Sequence, residues 1–304
     1  MSNQGPMPIT TAGGELAARI RPRRPALVNF ILRLWKKPLG FLSLVIILGV
    51  IFCAIFADVI APYNPDMTDR TKTLVPPSLE HPLGTDPLGR DMLSRIIYGA
   101  RISLYVGLLA TGSNVIIGAT VGMIAGFYGG KIGLFIMRTL DVIMAFPLLI
   151  LAIVLVGILG PSTNNVIIAI IVVGFPSIAR VTEGITLSVS RNVYVDGAKA
   201  IGARDVRILA RYILPNILHV TIVQFSIGMG FNILTESSLS FLGLGSPPPT
   251  PTWGQMLSGS GRRYFALAPW LAIWPGLAIT LVVYSYNMLG DAMRDLLDPR
   301  MRGA

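Results

Sequence analysis

The chain has 304 residues, of which 53% are hydrophobic and only 13% charged, whereas soluble domains carry about 25% charged residues. Its apolar residues collect in blocks near or above the roughly 20 residues of a membrane-crossing helix, which excludes a large water-soluble core as the main architecture. The formal net charge of +10 lies mainly between those blocks without interleaved stacking aromatics, so it reads as membrane orientation and not as a nucleic-acid surface.

Six spans follow in chain order: Leu39 to Ala57, Ser103 to Tyr128, Gly133 to Leu159, Asn165 to Ser188, Ile217 to Leu244 and Pro269 to Leu289. The fold class expected is an all-α membrane protein. Arg21, Arg23, Arg24, Arg33, Lys36 and Lys37 precede the first apolar run as in a secretory signal, but the run is too long for one and Ala57-Asp58 is no small-x-small cleavage site, so it reads as a retained span. Cys53 is the only cysteine and sits inside that span, which rules out an internal disulfide.

Positive charge crowds the N-terminal tail, the turn at Lys131 and the segment with Arg191, Lys199, Arg204, Arg207 and Arg211. Six crossings put all three on one side, and the positive-inside rule makes it cytoplasmic, with both termini inside. The expected organisation is a cytoplasmic tail over 1–38, a first span over 39–57, a long extracytoplasmic loop over 58–102, a five-helix core over 103–290 that includes a cytoplasmic loop over 189–216, and a cytoplasmic tail over 291–304. Arg262 and Arg263, on the outer side, run against this pattern.

The cytoplasmic segment RNVYVDGAKAIGARDVRILARYILPN, residues 191–216, holds the most information. Its small-residue start, Gly202 and the closing Ile213-Leu214-Pro215 predict two short helices bent at Gly202, with Pro215 marking re-entry into the membrane. Gly197, Ala198 and Ala200 would let another protein surface approach closely, and Arg204, Arg207 and Arg211 recur at helical spacing as a basic face. An amphipathic helix lying on anionic lipid fits these features equally well.

The same residues resemble the cytoplasmic signature of permease subunits of binding-protein-dependent ABC importers, Glu-Ala-Ala-x-x-x-Gly followed at a distance by Ile-x-Leu-Pro. Asp196-Gly197-Ala198, Gly202 and Leu214-Pro215 fall in register, with Asp196 and Gly197 in place of Glu and Ala and Tyr212 in place of Ile. Three further segments resemble the peptide, nickel and opine branch, and within it the C-type subunit of dipeptide and oligopeptide systems. They are His81-Pro82-Leu83-Gly84-Thr85-Asp86 through Asp91 to Arg95, Ser238 through Gly245, and Leu289-Gly290-Asp291 through Asp298-Pro299-Arg300.

The resemblance implies a type I ABC importer transmembrane domain in the bacterial or archaeal plasma membrane. It implies that Asp196 to Leu214 forms a coupling helix in a cleft of a cytoplasmic ATPase subunit, with Gly202 as the bend and Arg204 and Arg207 as contacts. Implied partners are a second, different permease subunit, two ATPase subunits or one fused, an extracytoplasmic substrate-binding protein and membrane lipid. ATP and magnesium would be bound by the ATPase partners, and no cofactor by this chain.

The remaining polar residues are weighed one by one. Gly129-Gly130-Lys131 is no phosphate loop, because Ala125 and Ile132 stand at its first glycine and its Ser/Thr. Glu236, flanked by Asn232, Thr235 and Ser237 in the fifth span, lines a hydrated translocation path or makes a helix-packing hydrogen bond. Arg138 with Asp141, and Arg180 with Glu183, have the spacing of local helical pairs. His81 and His219 lack partners at metal-ligand spacing, so no metal site and no catalytic residue is expected. The outer loop with Pro248 and Trp253 is a binding-protein contact or a plain connector. The competing function is a self-sufficient ion-coupled secondary transporter or channel, which would be expected to show internal repeats, broken helices and intramembrane ion ligands.

Overall fold

The structure is a computed structural model and describes residues 37–297. Arg21, Arg23, Arg24, Arg33, Lys36 and the segment Asp298-Pro299-Arg300 lie outside the described residues. The elements are α1 (Pro38–Ile55), α2 (Ala57–Ile60), α3 (Met92–Tyr128), α4 (Gly130–Met144), α5 (Leu148–Leu159), α6 (Thr163–Ser190), α7 (Val193–Ala200), α8 (Asp205–Ile208), α9 (Leu214–Phe241), α10 (Trp253–Met256) and α11 (Trp270–Leu297). Wide π-type turns at Leu209–Ile213 and Leu257–Gly261 join α8 to α9 and follow α10.

Among the described residues, five helical stretches are long and apolar enough to cross a membrane, or six if the bent pair α4 and α5 is one broken span. Here the structure departs from the single third span expected over Gly133 to Leu159: α4 and α5 meet at 83°. Pro147, the residue before α5, explains the break, because proline has no N–H to bond back into α4 and its ring disfavours helical backbone at Phe146. The second span also starts earlier, at Met92 in place of Ser103, and its 37 residues make a rod of about 55 Å that outreaches the hydrocarbon layer.

The closest helix packing runs along α3 and α6. A Cβ added at Gly118 would lie 2.8 Å from Phe175 O, one at Gly122 2.3 Å from Ala179 O, and one at Gly126 2.7 Å from Glu183 O. Three glycines one turn apart thus form a groove into which the α6 backbone presses. Small residues take this role in membranes because contact between backbones, not hydrophobic exclusion, holds spans together. A second core gathers α1, α3, α9 and α11 around Ile47, Met229, Ile233, Trp253, Leu271 and Tyr286.

The bundle has two distinct ends. At one, Val195, Ala198, Ile208, Ile213 and Ile217 pack against Met123 and Phe127 of α3 and Ile185 and Val189 of α6. Lys37 and Asp295 form an ion pair that joins the start of α1 to the end of α11.

At the other end, residues 58–91 form a folded cap where the sequence indicated only a loop. Asp91 begins α3 as its N-cap: its Oδ2 accepts from Ser94 N and Ser94 Oγ, each at 2.8 Å, and its Oδ1 shares a 2.9 Å hydrogen bond with His81 Nδ1. Asp86 Oδ1 accepts from Leu88 N at 2.8 Å and Arg90 N at 3.0 Å, while its Oδ2 takes Arg90 Nε at 2.6 Å. Gly89, at φ +74°, passes so close to Asp69 that a Cβ would lie 1.8 Å from its carbonyl oxygen, so only glycine fits. Trp270 Nε1 ties α11 to the cap through Thr85 O at 3.3 Å.

Candidate functional site: an exposed aliphatic face and a polar cavity

The segment between α6 and α9 is held on one side and bare on the other. Val195 and Ala198 of α7 and Ile208 of α8 turn inward, and the helices meet at Gly202, whose φ of +76° suits glycine. Outward, Val193 is 87% exposed, Ile201 83% and Val206 76%. Asp196, Gly197, Arg204 and Arg207 are exposed with them, and nothing lies within 4 Å of a Cβ placed at Gly197 or Gly202. Three aliphatic side chains thus stand bare beside Arg204 and Arg207 on one exposed face.

Other predicted residues of the segment have structural places. Ala198 is buried, Leu214 is half-buried, and Pro215 stands in the first turn of α9, where a missing N–H costs nothing. Asp196 pairs loosely with Lys199 at 3.6 Å.

A cavity of about 320 Å³, open at the bundle surface, lies where α3, α5, α6 and α9 come together. Its polar wall is Thr111, Asn114, Ser177, Gln224 and Asn232; Leu148, Ile178, Ile227 and Phe231 supply the apolar part. Asn232 Nδ2 donates to Thr111 Oγ1 at 2.8 Å and so joins α9 to α3. Of the three residues expected on a translocation path, Asn232 lies on this wall, whereas Glu236 and Ser237 do not. Glu236 is 2% exposed and accepts from Ser240 Oγ at 2.7 Å and Ser237 Oγ at 3.4 Å. The α10 turn rests on Ser237 itself, since a Cβ at Gly254 would lie 2.2 Å from Ser237 O.

The outer loop brings a correction. Pro248 is exposed, but Trp253 is 2% exposed. Its indole fills the notch over Gly99 and donates from Nε1 to Ile96 O at 3.0 Å. A binding-protein contact at Trp253 is therefore replaced by a packing role, for an aromatic this deep has no free face. A second correction concerns Arg180, which pairs with Asp141 of α4 and not with Glu183 on its own helix. Arg138 Nη1 lies 3.6 Å from the same Asp141, so one carboxylate bridges α4 and α6. Gly129 and Gly130, both at positive φ, make the tight α3–α4 turn.

Sequence reasoning missed Asn114 and Gln224. Both are uncharged amides inside apolar spans, and charge was the property that drew notice to Glu236. Among the described residues no group of three or more His, Cys, Asp and Glu is placed to hold a metal ion.

Residues 118–303 match the family described as binding-protein-dependent transport system inner membrane component, and residues 27–77 match the N-terminal TM domain of oligopeptide transport permease C. The chain is 44% identical to the dipeptide transport system permease protein DppC of Alkalihalophilus pseudofirmus, over 89% of this chain and 88% of that one. It is 42% identical to the di/tripeptide transport system permease protein DppC of Pseudomonas aeruginosa (88% and 90%) and 42% identical to the glutathione transport system permease protein GsiD of Escherichia coli (90% and 91%). In fold it is similar to a chain of the MetNI methionine ABC transporter in an inward-facing conformation, with a TM-score of 0.56, 18% identity, and coverage of 68% of this chain and 98% of that chain. The spans and these relationships agree: the chain belongs to the inner membrane components of binding-protein-dependent transport systems, as an ABC importer permease that is not itself the ATPase.

Proposed function

We propose that this chain forms half of the translocation path of an importer for di- or oligopeptides, paired with a second, different permease subunit. The 189–216 segment takes up the motion of cytoplasmic ATPase subunits that bind ATP and magnesium. One observation carries the coupling part: Val193, Ile201 and Val206 stand bare on an inner face whose other side is anchored in the bundle. A lipid-bound amphipathic helix would turn its apolar side toward the bilayer; here the inward side chains are already spent on α3 and α6.

ATP-driven closure of the ATPase pair would pull α7 and α8, and α3 and α6 would follow as one body because their backbones interlock at Gly118, Gly122 and Gly126. An extracytoplasmic binding protein delivers the substrate at the cap end, with Pro248 on the exposed loop as a contact. Both termini and Lys131 then lie in the cytoplasm, and the organisation is tail, first span, outer segment and core, with the outer segment ending at Asp91 and the core beginning at Met92. Dipeptides and longer peptides are favoured as cargo because the relatives named above carry dipeptides, tripeptides and glutathione.

Mild purification of the tagged chain from its host membrane should bring ATPase and second permease subunits in fixed proportion, and that complex in liposomes should take up peptides only with ATP and liganded binding protein. ATP-independent uptake by this chain alone would put an ion-coupled carrier in its place. Labelling of a cysteine at position 201 from outside intact cells would defeat the coupling role.

A further inference from the structure

The cavity wall is chemically one-sided. Thr111, Asn114, Ser177, Gln224 and Asn232 supply hydroxyls and primary amides, and no charged side chain lines it. Its volume of about 320 Å³ lies within the roughly 300–1,000 Å³ usual for small-molecule sites. With no carboxylate, imidazole, Arg or Lys on it, this wall offers no counter-charge to an ionic ligand.

Two of its amides have unused hydrogen-bonding capacity. Gln224, partly exposed to the cavity midway along α9, makes no hydrogen bond in the structure. Asn114 is 2% exposed, and its Oδ1 is buried without a partner. Its Nδ2 reaches Ile170 O only at 3.5 Å, and Gly174 leaves it room, since a Cβ there would lie 2.4 Å from Nδ2. A buried carbonyl oxygen without a donor is costly inside a membrane. The Gln224 amide, only partly buried, is open to whatever enters the cavity with N–H and C=O groups.

We propose that Gln224, with Asn114 behind it, is a specificity-determining subsite that takes the peptide unit of the cargo by hydrogen bonds and is indifferent to its side-chain charge. Gln224 offers a donor and an acceptor, matching the C=O and N–H of a peptide backbone, while Asn114 Oδ1, on the same wall, takes a further N–H as α5 and α9 move against the rigid α3–α6 pair. This rests on the peptide-importer reading and specifies which chemistry the path recognises.

The test uses the complete complex in liposomes with saturating liganded binding protein, and compares uptake of Ala-Ala, Ala-Lys and Ala-Glu. Each variant is referred to wild type for the same peptide, so selection by the binding protein cancels. Gln224→Leu should lower uptake of all three alike, by about two- to tenfold, as expected for one lost hydrogen bond. Gln224→Glu places a carboxylate among uncharged walls and should raise the Ala-Lys to Ala-Glu ratio on the order of tenfold. Wild-type rates and ratios in both variants would overturn the subsite while leaving the importer intact, and so would failure of both to assemble, which would make Gln224 a packing residue. A wild-type complex that carries none of the peptides removes the importer reading, and the subsite with it.

Discussion

Replacing Gly202 separates what the inner segment needs for folding from what it needs for docking. At φ +76°, a side chain with a Cβ costs about 1–2 kcal/mol in the left-handed region, and Asn less because it tolerates that region. The fold can absorb this. Val195, Ile208 and Ile213 are fully buried beneath the segment, and each buried aliphatic side chain contributes about 1.5–3 kcal/mol. No described residue lies within 4 Å of the added Cβ, so a large residue there would project outward, toward a docked partner. Overpacking there costs about 1–3 kcal/mol, and each 1.4 kcal/mol is a factor of about ten. Gly202→Asn should keep uptake within about threefold of wild type. Gly202→Leu should assemble as a permease pair yet lose uptake by about tenfold or more, with ATP hydrolysis either running without transport or absent because the ATPase has left. Uptake and ATPase rate per mole of complex, measured on the same liposomes, give both quantities. Coupled transport at wild-type rate by an assembled Gly202→Leu complex would refute the argument, and equal losses in Asn and Leu would assign the effect to backbone strain.

Three further outcomes follow from packing and charge. Trp253→Ala empties the notch over Gly99 and leaves Ile96 O without its donor; it should destabilise the protein by about 3–5 kcal/mol, read as a lower melting temperature in detergent, while exposed Pro248→Ala stays within about 0.5 kcal/mol of wild type. Gly122→Leu must force α3 from α6, because even a Cβ would lie 2.3 Å from Ala179 O; it should reduce folded yield more than the same change at Gly112, where nothing lies within 4 Å. Hydrogen bonds from Arg101 and then Tyr98 hold the Asp58 carboxyl below its ordinary 3.8, and the Lys72 bond holds Glu80 below its ordinary 4.5. A depressed carboxyl contributes stability that is complete above its unfolded value and lost as pH falls through its folded value, so proteolysis of the cap should accelerate only on acidification below about pH 4, and an Asp58→Asn variant should show less of that change.

Hydropathy made the spans legible because lipid demands unbroken apolar helix, a demand that composition alone satisfies. The break at Phe146-Pro147 left its mark in the sequence as a proline, yet the apolar run continued across it and concealed the 83° bend. The cap was less legible still. His81, Asp86 and Asp91 stood out as a motif, but their partners are set by Gly84 and Gly89, two turns at positive φ that bring Asp91 back beside His81 and begin α3 there. At the cavity, attention to charge favoured Glu236, which two serines on its own helix satisfy. Gln224 carries the greater significance because no residue answers it, and a missing partner is a property of three-dimensional arrangement.

The two ends of the molecule are mechanically one through α3. Its first turn is held by Asp91 and Ser94 inside the cap, and Met123 and Phe127 in its last turns support the segment that carries α7 and α8. About 55 Å of continuous helix lies between them, interlocked with α6 along most of its inner half. The bent pair α4–α5 and the wide turn Leu209–Ile213 are different in kind, because their backbone hydrogen bonding is already interrupted or loosened. Motion that enters at Gly202 would therefore leave α3 and α6 rigid and be absorbed at Ala145–Pro147 and at the entry to α9. The first hinge adjoins the cavity wall at Leu148, and the second lies about three turns of α9 before Gln224, so rotation about them would widen or close the space in front of Gln224 without breaking a hydrogen bond in either long helix.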